Sequence, residues 1–182
     1  MAADPEILRF TTGPFEENVF LLIGPSGRSA LLVDPGMGSE VVLAEIERRG
    51  LALEGIVNTH GHLDHVAGNR FFKERTGAWI AIHPADVPYL DRVRAQGALY
   101  GVEADDSPAP DRLLREGEPL HFDGMVLDIL HTPGHTPGGV CVRTGGRMFV
   151  GDTLFRGSVG RTDLPGGSWA DLVRSIRGNT NY

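Results

Sequence analysis

The stretch Ile56-Val57-Asn58-Thr59-His60-Gly61-His62-Leu63-Asp64-His65 passes from a short apolar run into three histidines and an aspartate within six residues. Ile56-Val57 reads as a short buried strand, so the imidazoles begin where that strand ends. Imidazole and carboxylate are borderline-to-hard ligands suited to zinc, iron or manganese. Gly61 lets the backbone bend so that alternate side chains converge instead of splaying. A polar loop can carry one such residue incidentally; four at these spacings point to a candidate metal centre.

Two later segments supply similar groups. His131-Thr132-Pro133-Gly134-His135-Thr136-Pro137-Gly138-Gly139 leaves a strand in a rigid Pro/Gly turn. Pro133 stops His131 and His135 from sharing a helical face, so they need not both be ligands. Val150-Gly151-Asp152 places another carboxylate at a strand end.

Outward from these motifs, the first third of the chain reads as strands at Ile7–Thr11, Val19–Ile23 and Ser29–Asp34, followed by a helix that Ser39 can cap and Gly50 stops. A second helix is predicted from about His65 to Thr76, then a strand at Trp79–Ile82 and a mostly helical stretch over 84–100. The acidic, proline-containing segment 101–111 reads as a surface loop. Asp123-Gly124 and Gly145-Gly146 each sit between apolar runs as hairpin turns. Ser168 and Asp171 form a capping box ahead of a last helix. Strands with helices followed by hairpins fit an α/β class in which two sheets pack together with helices outside. They do not fit a doubly wound dinucleotide fold.

The 182 residues are expected to form a single domain, 1–182. A net charge of -7 argues against a nucleic-acid binder, which needs a basic face. One cysteine excludes an internal disulfide. No apolar run reaches the ~18 residues of a membrane span, and Met1–Arg9 lacks an apolar signal core, so a soluble cytoplasmic protein is expected.

The chain resembles the metallo-β-lactamase superfamily, and within it the glyoxalase II-like (hydroxyacylglutathione hydrolase-like) branch. The matching pieces are Phe15–Asn18 (FEEN), Val33–Gly36 (VDPG), THGHLDH, HTPGHTPGG, VGDTLF and Gly160–Gly167 (GRTDLPGG). The resemblance implies an αββα four-layer sandwich with the site at one edge of the two sheets. It implies His60, His62 and His135 as ligands of a first metal, and Asp64, His65 and Asp152 as ligands of a second, with Asp152 bridging. One or two Zn2+ are expected, with Fe or Mn as substitutes. Asp34 would orient a ligand from behind. The implied reaction is hydrolysis of a thioester such as a hydroxyacyl-glutathione by a metal-bound hydroxide, which Asp64 would help to orient. A small-molecule thioester, and neither nucleic acid nor membrane, is the expected partner.

No histidine follows His135. The resemblance implies a further helix, strand and P-G-H-G-like turn carrying one more ligand, so the fold is expected to lack that C-terminal strand and turn, leaving three protein ligands at the second metal. Two other activities fit the same residues. A persulfide dioxygenase of this superfamily would use one iron on His60, His135 and Asp152, and a fragment would bind metal without turnover. His83 and His121 read as structural or surface residues, His131 as support near the site, and Cys141 as a small buried hydrophobe. Arg161 and Asp163 read as an ion pair stiffening a Gly-rich loop.

Overall fold

Residues 5–179 are described in a computed structural model of the chain. Met1–Asp4, part of the segment read for a leader, and Thr180–Tyr182, the end of the expected domain, lie outside the described residues. The first strands are β1 (Glu6–Thr12), β2 (Glu17–Ile23) and β3 (Ser29–Val33), paired antiparallel in that order. Helix α1 (Val41–Arg49) crosses to β4 (Ala52–Val57), and α2 (Leu63–Val66) with α3 (Asn69–Thr76) crosses to β5 (Trp79–Ile82). Helices α4 (Val87–Leu90) and α5 (Val93–Tyr100) lead to the short β6 (Arg112–Leu113). From β3 to β6 neighbouring strands are parallel, which completes a six-stranded sheet ordered β1-β2-β3-β4-β5-β6.

The second half forms a four-stranded antiparallel sheet, ordered β10-β9-β8-β7, from β7 (Leu120–Phe122), β8 (Met125–His131), β9 (Val140–Thr144) and β10 (Arg147–Phe149). A small ribbon of β11 (Leu154–Phe155) and β12 (Ser158–Val159) follows, then α6 (Trp169–Asn179).

Neighbouring apolar residues of the central strands turn to opposite sides. Leu22, Leu31, Val33 and Val57 meet Leu127, Ile129, Val140 and Val142 of the second sheet. Their neighbours Leu21, Leu32 and Ile56 pack under Val42 and Ile46 of α1 and Phe72 of α3. Burial on both faces explains why SALLV reads as a continuous apolar run without alternation. Helix α6 docks on the turn after β8, with Leu172 fully buried and Ser175 Oγ donating to the Pro133 carbonyl at 2.7 Å. Helices, two sheets and helices therefore follow the expected αββα order.

Local details differ from the expectations. Ser39 does not cap α1; its buried hydroxyl donates to the Gly36 carbonyl at 2.7 Å. Strand β4 starts four residues before Ile56, because a register shift against β3 turns Glu54 out to solvent and interrupts the apolar run. The helix expected over 65–76 begins at Leu63 and breaks at Ala67-Gly68, where Gly68 N–H leaves the helix to donate to Pro35 O at 2.7 Å.

Candidate metal centre

The parallel strands β3, β4 and β5 end side by side, and in open α/β sheets sites form beyond such carboxyl ends. Asp34 follows β3 and THGHLDH follows β4, while the turn after β8 and the end of β10 deliver His135 and Asp152 from the second sheet. His60, His62, His65 and His135 are all buried there.

Hydrogen bonds behind the rings fix which nitrogens face the cluster. Asp34, held at φ +51, accepts from Thr59 N–H at 2.7 Å, Thr59 Oγ at 2.6 Å and His65 Nδ1 at 3.0 Å. His135 Nδ1 donates to the Arg161 carbonyl at 2.8 Å. His60 Nδ1 lies 3.3 Å from Thr59 Oγ, whose proton is committed to Asp34. With the proton on Nδ1 alone, the form a bound cation would require, each of these three rings presents a bare Nε2 to the centre. His62 turns its Nδ1 inward, 2.8 Å from His135 Nε2.

The facing atoms lack partners. His60 Nε2, His65 Nε2 and Asp152 Oδ1 are sealed from solvent and make no hydrogen bond. Orphaned buried polar atoms are costly, so a group must answer them. Asp152 Oδ1 lies 3.2 Å from His65 Nε2, and Oδ2 lies 3.4 Å from His135 Nε2. A cation bound at about 2.1 Å leaves two of its ligands about 3.0–3.4 Å apart, so these separations fit a bound metal ion. His60, His62 and His135 offer one set of converging atoms; His60, His65 and Asp152 offer another.

The expected second set of Asp64, His65 and Asp152 is divided. Asp152 joins His60 and His65, whereas Asp64 Oδ2 stands 3.9 Å from His65 Nε2 and groups with His65 and Glu17. Glu17 carried no role in the sequence reading.

Burial and the neighbouring imidazoles hold His60 well below its ordinary value and His62 at about 3, so both stay neutral and able to ligate. Burial also opposes charge on His65, but Asp34, Asp152 and Glu17 outweigh it and raise that imidazole well above 6.5. Asp64 is pushed up by burial, with His65 opposing.

Asp86 was missed as well. It sits fully buried in the 3-10 turn after β5 and accepts from Gly61 N–H at 2.9 Å, Thr136 Oγ at 2.7 Å and Gly138 N–H at 2.6 Å. One carboxylate thus ties the His60–His65 loop to the His135 turn. The available signal was His83-Pro84-Ala85-Asp86, a carboxylate just past a strand end, like Asp34. Gly61 serves this packing and does not bend the chain through a positive φ: a Cβ there would meet Tyr89 Cβ at 2.6 Å.

The other singled-out residues offer no atom to the converging sets, though Arg161 lines the cavity beside them and holds His135 through its carbonyl. His131 stacks on His83 with ring centroids 4.2 Å apart and bonds the Pro137 carbonyl, while His121 is exposed. Cys141 is buried, and Arg161 grips Asp163 through two 2.7 Å bonds. A cavity of about 170 Å³ opens onto His62, Asp64, His135 and Asp152 between Phe15, Tyr100 and Leu164. Among the described residues no helix is long and apolar enough to cross a membrane.

Residues 12–181 match the metallo-beta-lactamase superfamily. Over 167 residues the chain is 38% identical to the hydroxyacylglutathione hydrolase GloC of Haemophilus influenzae, spanning 90% of this chain and 78% of that protein. The crystal structure of TTHA1623 in a di-iron-bound form is 36% identical with a TM-score of 0.85, covering 94% of this chain and 84% of that one. The BLEG-1 B3 metallo-beta-lactamase structure is 28% identical with a TM-score of 0.88, covering 96% and 85%.

Proposed function

The chain belongs to the metallo-β-lactamase superfamily, and from that premise we propose that it is a metal-dependent hydrolase of small thioesters, with a hydroxyacyl-glutathione as the leading candidate. The observation that carries the metal dependence is the set of sealed, partnerless atoms on His60, His65 and Asp152, which the chain's own groups do not answer. The thioester specificity leans on the likeness to GloC.

His60, His62 and His135 would hold a first cation and Asp152 would reach it from the other sheet. When bound, a divalent cation at this edge supplies a nucleophile from water at neutral pH and polarises the scissile carbonyl. Asp64 lines the cavity beside these groups, and its raised carboxyl suits it to hold the attacking water and accept its proton. Phe15, Tyr100 and Leu164 give the acyl group an apolar seat at the mouth of the cavity. A thiolate leaves without a strong general acid, and the cavity lining includes no lysine or further histidine to serve as one.

Loading the protein with Zn2+, Mn2+ or Fe2+ and following thiol release from a 2-hydroxyacyl-glutathione tests the reading. Turnover that chelation abolishes is expected. His135→Ala should lose the first cation and more than ~100-fold of the turnover, beyond what loss of a supporting contact costs. Oxygen uptake with glutathione persulfide and no thioester cleavage would replace this reading with the dioxygenase one. Bound metal without any turnover would overturn the enzyme reading and leave a metal-binding protein.

A further inference from the structure

Glu17 opens β2 in the FEEN segment and, unlike Phe15 of the same segment, takes no part in the hydrolysis outlined above. Its Oε1 accepts from Asn18 N–H at 2.9 Å, and its Oε2 lies 3.3 Å from His65 Nε2. His65 has no exposed side-chain surface, and its Nε2 makes no hydrogen bond. Asp152 Oδ1 lies 3.2 Å from the same nitrogen and Asp64 Oδ2 3.9 Å from it. Three carboxylate oxygens therefore surround one imidazole nitrogen that Asp34, on the other side of the ring, leaves bare. Ionised carboxylates accept and cannot donate, so these oxygens cannot satisfy one another. The two shorter separations are those that a cation bound at about 2.1 Å leaves between its ligands.

We propose that Glu17 is a protein ligand of a second cation position, together with His65 and Asp64 and within reach of Asp152. This rests on reading the cluster as a metal centre, and it is independent of which substrate the centre acts on. The two positions differ in chemistry. The first is faced by three imidazoles, whereas the second is rich in carboxylate oxygen and suits a harder cation such as Mn2+.

The test is metal binding by the full chain. Wild type, Glu17→Gln and Glu17→Ala are each given one equivalent of Zn2+, titrated with Mn2+, and followed by electron paramagnetic resonance of free Mn2+ and by metal analysis. Wild type should take up one Zn2+ and one Mn2+. Both variants should keep the Zn2+, which reports an intact imidazole cluster, and bind Mn2+ on the order of 10- to 100-fold more weakly. Unchanged Mn2+ affinity in the variants overturns the proposal, as does a wild type that takes no second cation. If both variants also lose Zn2+, Glu17→Asp decides. It keeps the carboxylate but withdraws it by one methylene, so retained Zn2+ with weakened Mn2+ supports the assignment, and any other result overturns it. Thioester turnover in wild type is scored separately, so failure of the hydrolase reading is not confused with failure here.

Discussion

A single buried carboxylate shows how much of the centre depends on residues that touch no ligand. Burial pushes the Asp86 carboxyl up, while the bonds from Thr136, Gly138 and Gly61 pull it down. Asp86→Asn keeps the volume but replaces one acceptor oxygen with a donor, so one side of the clamp faces an N–H or O–H it cannot satisfy. Each donor orphaned in this way costs about 1–3 kcal/mol. Because the clamp joins the two loops that bring His60, His62 and His135 together, Zn2+ affinity should also fall, by on the order of 10- to 100-fold. Urea unfolding of the metal-free variant, paired with chelator competition for Zn2+, separates the two effects. Lost stability with unchanged affinity would reduce Asp86 to a fold residue. Asp34 was legible through the resemblance that Val33-Asp34-Pro35-Gly36 carries, since a strand end alone marks Asp86 equally well. Asp86 and Glu17 were not, because their meaning lies in partners far along the chain, Gly138 for one and His65 for the other. The imidazoles were legible for the opposite reason, since His60, His62 and His65 share one short loop.

Among the elements, the strands were the most readable, because apolar runs buried on both faces leave little room for another assignment. Breaks inside elements were hidden wherever tertiary contact overrode local preference, and the α2–α3 junction shows the conflict. By helix propensity alone, Gly68→Ala should stabilise a helix by up to about 1 kcal/mol. A Cβ at that position would instead lie 2.4 Å from Ser39 Oγ and 2.8 Å from Pro35 O. The Ser39 hydroxyl is itself committed to Gly36 O, and the backbone of Pro35 cannot step aside cheaply. Gly68→Ala should therefore destabilise the protein by about 1–3 kcal/mol, the usual cost of overpacking. A thermal melt decides the matter, and a raised melting temperature would show that propensity wins. The same junction carries Asp64 and His65 on one side and the α3 face that covers the larger sheet on the other. Misplacing it should disturb the metal centre before the sheet core.

For the whole molecule, two sheets meet over an apolar interface and leave their buried titratable groups at one edge, so metal and proton both bear on global stability. In the metal-free protein His62 titrates near about 3 when folded and near 6.5 when unfolded, and buried His60 is lowered in the same direction. Between those values the unfolded chain binds protons that the folded chain refuses, so stability falls as the pH drops below about 6.5. His65 runs the other way: its raised value gives a contribution complete below about 6.5 and lost as pH rises through the folded value. Lowering the pH from 7 to 5.5 thus removes stability through His60 and His62, offset only in part by the smaller gain as the His65 contribution becomes complete. A cation bound only to the folded form, at ~100 times its dissociation constant, adds about 2.7 kcal/mol. At ~2–4 °C per kcal/mol for a domain of this size, that raises the melting temperature by about 5–11 °C. Melting curves with chelator and with excess Zn2+ should therefore lie that far apart at pH 7 and, both shifted lower, stay apart at pH 5.5, where folded His60 and His62 are still neutral and able to ligate. Coincident curves at pH 7 would mean that the partnerless atoms of His60, His65 and Asp152 are not waiting for a metal.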